Sequence, residues 1–319
     1  VAMLLEEDPK LAVVDLTQAG SASDYRHIDF RKPMLRFCGQ DRSETHQVQD
    51  FPVFNGKFST TCYLDETLQA LADMYEKRGL DPAPYLRSLK AVFMHRPYRR
   101  MPETGWGAAW IWALAHGGDE EYAVLDGYCR EAGVDTAGLV TELREVPTLG
   151  ELATEGGVNT EAYPLTMEVL RVFRRTPDYQ DIVVDKLVLG SETMRDLGNL
   201  YTAALPAWMA AGFEEAMDSG LDLTDEEILT LGYGSGDAAE VIPITMCETW
   251  REATARIGFR RCLDYAVDLT QAQYEALHDG RRVHDLDYLP NDEFIIERVG
   301  DREDRQFQDL GIEYYRYVG

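Results

Sequence analysis

A chain of 319 residues and 36.1 kDa is long enough to bury a large core, as one big domain or two fused ones. Hydrophobic residues at 45% and charged residues at 28% give a globular balance, which excludes a disordered chain. With 31 basic against 57 acidic residues the net charge is −26, a field that repels nucleic acid and anionic membrane as generic partners.

The chain opens in an apolar run, Val1 to Leu5, followed by a charged turn and a second apolar run, Leu11 to Leu16. This reads as a hairpin-like pair of short strands that completes a sheet. No basic signal-peptide region precedes it, and no apolar run reaches the roughly 18 residues of a membrane helix. The expectation is a soluble, acidic, cytoplasmic protein. From Tyr63 to Arg78, Leu64, Leu68, Leu71 and Met74 recur at helical spacing, and Gly79 sits at a helix C-cap. A short strand, Ala91 to Met94, leads directly into His95. Trp106 to Ala115 is an apolar helix ending at Gly117-Gly118, and further helices are predicted at 119–132, 162–175 and 199–217. Ile228 to Tyr233 reads as a strand, broken by Gly234-Ser235-Gly236, after which Ala238 to Arg256 has helical character. The remainder alternates: a strand near 258–266, a helix near 270–279, and strands near 293–298 and 311–318 that pair with each other. Interleaved strands and helices argue for α/β layers.

The five cysteines (Cys38, Cys62, Cys129, Cys247, Cys262) form no CxxC pair, and the six histidines are scattered without metal-ligand spacing. No metal or resident cofactor is expected. Only six of the basic residues are lysine, which fits a salt-rich cytoplasm or GC-rich coding equally well.

Three segments place reactive or glycine residues at the end of an apolar element. In Ala91-Val-Phe-Met-His95-Arg96-Pro-Tyr-Arg99-Arg100, a histidine ends a buried strand, where α/β proteins build sites; its imidazole can donate to a carbonyl or move a proton near neutral pH. It can equally be a histidine satisfied by backbone. Between Arg87 and Arg100 lie five basic residues and no acidic one, a local reversal of sign that suits phosphate or pyrophosphate, or else a solvated face pairing with carboxylates elsewhere. Gly198-Asn199-Leu-Tyr201-Thr202 opens a helix with an N-cap asparagine that could alternatively present its amide to a substrate carbonyl. Tyr233-Gly234-Ser235-Gly236 reads as a strand, a tight turn and a helix N-terminus, without the lysine or spacing of a P-loop or a nucleophile elbow.

Together and in order, these segments resemble the hydroxymethylglutaryl-CoA (HMG-CoA) synthases of the thiolase superfamily. The blocks are Val1–Leu5 with its acidic turn, Asp29-Phe30-Arg31-Lys32-Pro33, Pro52-Val-Phe-Asn-Gly56-Lys57-Phe-Ser59-Thr-Thr-Cys62-Tyr63, His95-Arg-Pro97-Tyr98, Gly198-Asn199-Leu-Tyr201-Thr202 and Tyr233-Gly234-Ser235-Gly236. The tail, with Tyr288-Leu-Pro290, also looks like that family's C-terminus. The resemblance implies a thiolase-like layered α/β fold (αβαβα), mainly its C-terminal half. Residues 1–50 would be the end of the N-terminal half and the connection, 51–250 the C-terminal half, and 251–319 the closing strands and helix.

It also implies condensation of acetyl-CoA with acetoacetyl-CoA through an acetylated cysteine, with coenzyme A thioesters as substrates and no cofactor. His95 matches the histidine that orients the acetoacetyl thioester. Asn199 and Ser235, with Tyr201 and Gly234 beside them, match substrate-binding positions. Arg96, Arg99 and Arg100 would hold the CoA phosphates, Arg100 standing where the family usually has lysine. The family's nucleophilic cysteine and catalytic glutamate have no counterpart here: Cys62 matches a non-nucleophilic cysteine of the family, and the other four lie outside any electropositive strand-to-helix turn. The expectation is therefore an N-terminal half supplied as a separate polypeptide, in a homodimer or larger oligomer. Alternatives are a β-branching synthase that uses a carrier-protein-bound acceptor, and a non-catalytic CoA-binding scaffold.

Overall fold

The computed structural model describes residues 3–24, 30–31, 53–54, 56–145, 162–234, 237–264, 266–279, 281–303 and 306–319. The described residues fall into two compact units, one from 1–32 and 52–260, the other from 261–319. No helix among them is long and apolar enough to cross a membrane.

The first unit is built on a five-stranded sheet: β1 (Ala12–Val14), β2 (Gly20–Ser23), β5 (Val92–Met94), β6 (Glu227–Gly234) and β7 (Ala238–Met246). A two-residue pair, β3 (Phe30–Arg31) with β4 (Val53–Phe54), stands outside it. Strands β6 and β7 form a long antiparallel hairpin, β5 runs parallel to β6, and β1 and β2 both line the far edge of β7. Strand β2 takes Val241 back to Ala238 and β1 takes Met246 to Ile244, so the outer ladder is interrupted at Ile242 and Pro243. A proline lacks the N–H a ladder needs and is tolerated at such a break.

Helices cover both faces. On one lie α1 (Gly56–Arg78) and α3 (Arg100–His116), separated in the chain by α2 (Pro82–Ser88) and β5. Gly20 of β2 packs so closely on α1 that a Cβ there would stand 2.0 Å from the Ala70 carbonyl oxygen. Met94 meets the same layer, because its methyl lies 3.3 Å from where a Cβ on Gly105 would be. Side chains alternate across a strand, so Phe93 points to the opposite face. There it packs edge-on against Trp208 and Phe213 of α7 (Ala204–Ser219), with ring centroids 5.8 and 5.5 Å away. Such aromatic pairs add about 0.5–1.5 kcal/mol each beyond the area they bury. Helices α4 (Asp119–Ala132), α5 (Thr136–Arg144) and α6 (Pro164–Phe173) pack on and around α3. Short α8 (Trp250–Thr254) packs on α7, and α9 (Phe259–Leu263) follows it. The second unit contains α10 (Gln271–His278) and a hairpin of β8 (Glu293–Val299) with β9 (Glu313–Val318).

The helices expected around 63–78, 106–115, 119–132, 162–175 and 199–217 are present, and Gly79 adopts φ +62° as the left-handed cap of α1. Three expectations are corrected. Residues 238–246 form a strand: Val241, Ile242, Ile244 and Thr245 are β-branched, and Ala239, Val241 and Ile244 are buried while Ala238, Glu240 and Thr245 are exposed. Helix begins only at Trp250. The segment near 258–266 contains the helix α9, its N-terminal amides on Phe259 and Arg260 donating to the buried Glu214 carboxylate at 2.5 and 3.0 Å. Among the described residues of the two opening apolar runs, Ala12–Val14 forms a strand, whereas Met3, Leu4 and Leu5 are 68–84% exposed and outside any strand.

Candidate functional site

His95 follows β5, at the end of the sheet where β6 reaches Gly234. Its peptide is fixed on both sides: the backbone N–H donates to the Leu231 carbonyl at 2.7 Å, and its own carbonyl accepts from the Tyr63 hydroxyl at 3.2 Å. Burial raises the Tyr63 phenol far above its ordinary range, so it stays a donor at any working pH. Tyr63 packs edge-on against Tyr233 with centroids 5.1 Å apart, and the His95 ring lies 6.2 Å from the same Tyr233. Tyr233 in turn donates to Asp237 at 3.0 Å. The half-buried imidazole is held below the ordinary histidine value of 6.5 by desolvation, which leaves it neutral near pH 7 with one N–H to donate.

Asn199 and Tyr201 stand on an exposed turn before α7. The Asn199 side-chain oxygen accepts from the Tyr201 backbone N–H at 2.8 Å, closing an Asx turn, and Tyr201 adopts φ +51°, a conformation unusual for an aromatic residue. Tyr201 is 60% exposed, so packing does not impose that conformation; the Asn199 bond favours it. Gly234 ends β6 opposite Ala238. Ser235 lies outside the described residues. Strand β7 begins at Ala238, so a strand paired antiparallel with β6 stands where a helix was expected.

The three arginines separate. Arg99 and Arg100 are exposed at the start of α3, Arg99 within 3.5 Å of Glu103. Arg96 is only 8% exposed; its guanidinium lies 4.9 Å from the Trp208 ring centroid and donates to the Ser191 hydroxyl at 3.1 Å.

Sequence reading did not single out Tyr63, Tyr233 and Asp237 as a shell around His95. The first two stand in the family blocks, Cys62-Tyr63 and Tyr233-Gly234, and that was the available signal. A second cluster lies at the same end of the sheet. Asp24, whose N–H and carbonyl pair with Asp237, brings a carboxylate oxygen within 4.8 Å of those of Asp65 and Glu66 on α1. Among the described residues these three have the geometry to share a cation. Asp65 also accepts from the Tyr163 hydroxyl. A cavity nearby in sequence is lined by Gly56, Thr60, Thr61, Leu64, Ala162, Tyr163 and Met167. Of the cysteines, Cys62 and Cys129 are buried, Cys247 partly so and Cys262 exposed, while Cys38 lies outside the described residues. Burial pushes the Cys129 and Cys247 thiols upward, the reverse of what an activated nucleophile needs.

No protein-family model matches the chain. The hydroxymethylglutaryl-CoA synthase of Haloferax volcanii is 24% identical over 97% of this chain and 62% of its own length. Among solved structures, MvaS in complex with 3-hydroxy-3-methylglutaryl coenzyme A superimposes with a TM-score of 0.64 at 18% identity, covering 98% of this chain and 59% of that one. PksG, an HMG-CoA synthase from Bacillus subtilis, gives 0.55 at 14% identity, covering 98% and 60%. The curacin-pathway HMG synthase in complex with holo donor-ACP gives 0.54 at 15% identity, covering 97% and 58%. The chain thus spans about three fifths of the length of the relatives it matches. Over that span it resembles the hydroxymethylglutaryl-CoA synthases in sequence and has their thiolase-like α/β fold.

Proposed function

We propose that this chain is the acceptor-orienting part of an HMG-CoA synthase-type acyltransferase, which converts acetyl-CoA, acetoacetyl-CoA and water to HMG-CoA and CoA. The part of a synthase that this sequence does not span would supply the cysteine that takes the acetyl group, releasing CoA, and the glutamate that removes a methyl proton. The resulting carbanion attacks the ketone carbon of acetoacetyl-CoA; the new C–C bond forms as the carbonyl π pair moves onto oxygen. Water then cleaves the thioester to the cysteine and frees HMG-CoA. In this scheme neutral His95 donates to the ketone oxygen and stabilises the developing alkoxide, while Asn199, Tyr201, Gly234 and Ser235 shape the acceptor site. Arg99 and Arg100, exposed beside His95, would meet the CoA phosphates.

The observation that carries this reading is the neutral, half-buried His95 clamped at the sheet end in a chain whose similarity to a synthase covers 97% of its length. The reading places the assembled enzyme in the cytoplasm as a homodimer or larger oligomer. Intact-mass spectrometry of the native assembly with acetyl-CoA should reveal the gain of one acetyl group, carried by the part that holds the cysteine. In that assembly His95→Ala should cut condensation by roughly 100-fold or more while leaving acetylation intact; an unchanged condensation rate would reject the assignment. A second reading takes the acceptor on a carrier protein; the likeness to a curacin-pathway HMG synthase in complex with donor-ACP supports carrier-protein substrates in general, there on the donor side. Turnover of acetoacetyl-carrier protein with none of acetoacetyl-CoA would select it. Tight CoA binding without turnover in the complete assembly would instead mark a scaffold.

A further inference from the structure

Arg96 adjoins His95 yet turns away from solvent, and its contacts lead to the Asn199 turn from both directions. Ser191, which accepts from the guanidinium, belongs to the segment running into Asn199; Trp208, on which the guanidinium sits, belongs to the helix that leaves it. That segment is already fastened to α7. The buried Trp208 indole N–H donates to the Leu189 carbonyl at 2.7 Å, and the Gly190 N–H donates to Glu215 at 2.8 Å. Gly190 approaches the helix so closely that a Cβ would lie 2.5 Å from the Gly212 nitrogen, and its φ of +70° independently demands glycine. Segment 189–197 and α7 are thus one body, and Phe93 and Arg96 connect it to the His95 strand. Phe93 supplies non-directional ring packing; Arg96 adds a directed hydrogen bond and a cation–π contact. Glu103 and Glu192 are the acidic groups whose fields reach Arg96, opposed by Arg99 and by desolvation. The Arg96 guanidinium donates to a neutral hydroxyl, so Ser191 and Trp208 set its geometry.

We propose that Arg96 is a positioning residue, whose guanidinium on Trp208 and Ser191 fixes the Asn199–Tyr201 turn relative to His95. In the synthase reading, on which this consequence rests, that spacing sets how a thioester acceptor is held between the imidazole and the asparagine. The assignment separates Arg96 from Arg99 and Arg100, which keep their charge at the surface for an anionic ligand.

Hydrogen exchange read by mass spectrometry on the full chain, without ligand, tests the tie directly. In Arg96→Met and in Ser191→Ala, amides of 189–203 should exchange about tenfold faster while β6 and β7 keep wild-type protection. The double variant should exchange no faster than Arg96→Met alone, since both changes remove the same tie. Unchanged exchange in 189–203, or a uniform rise across the first unit, would overturn the proposal. Titration with coenzyme A separates this from the functional reading. Wild-type chain that binds no coenzyme A counts against the synthase reading, while the exchange data still decide the tie. Binding that Arg96→Met weakens about tenfold supports both, and binding that the variant leaves unaltered overturns the positioning role.

Discussion

The two units of the chain solve the same problem by opposite means. In the first, four tryptophans (Trp106, Trp110, Trp208 and Trp250) are at most 1% exposed, and apolar burial holds the layers together. In the second, only Gly300 and Asp309 are buried among the described residues, while Phe294, Ile296, Tyr315 and Tyr317 share one face of the β8–β9 hairpin at 49–69% exposure. Its order comes from a polar hub. The Asp309 carboxylate accepts from the Arg302 backbone N–H at 2.8 Å, the Tyr314 hydroxyl at 2.9 Å and Arg298 at 3.2 Å, and Arg298 lies 3.5 Å from the Tyr314 ring centroid. One unit excludes water; the other is organised around a charge.

Emptying the apolar core should have the largest effect. Trp106→Ala removes a fully buried ring and the donor to the Ile182 carbonyl, and should cost about 3–5 kcal/mol in the unfolding of the first unit. A loss under 1 kcal/mol in denaturant melts would show that the tryptophan layer carries little. Next in size, Asp309→Ala should abolish the hairpin's dispersed amide resonances and leave those of the sheet unchanged. Gly300→Ala should do the same, because a Cβ there meets the Asp309 carbonyl oxygen at 2.0 Å. A hairpin intact in both variants would refute the hub. The smallest effect is electrostatic. The folded His95 value lies below 6.5, so as pH falls from 6.5 the unfolded chain takes up a proton that the native chain resists, and stability declines. His116, depressed by burial against Trp112, adds to the same slope. His95→Gln should flatten the stability–pH curve between pH 6.5 and 5, whereas a curve identical to wild type would contradict a desolvated imidazole.

Much of the helical layer was legible from sequence because its signals are local. Leu64, Leu68, Leu71 and Met74 keep one face, and Gly79 ends it. The strand before His95 was legible for the same reason. The hairpin was half missed, since Ala238, Ala239 and Glu240 favour helix while the pairing that makes β7 a strand comes from β6 on one side and from residues 12–23 on the other. Local propensity loses to a tertiary ladder there. The site divided similarly. His95 announced itself by following an apolar run. The burial of Arg96 did not, because its partners Ser191 and Trp208 are separated from it by about a hundred residues that carry no sequence mark of the contact.

The pairing of β1 and β2 with β7 has a consequence for the chain's birth. Ser23 lies beside the Asp237 carbonyl, 214 positions later, and Leu11 beside Cys247. At a synthesis rate of roughly 5–20 residues per second, the early strands wait on the order of ten to forty seconds for the strand that shelters them. Throughout that interval Val13, Val14 and the edge of β2 are open to any other extended segment. The slowest and most error-prone moment of folding should therefore fall late, when β7 emerges, and holding the N-terminal strands apart until then is work for a chaperone.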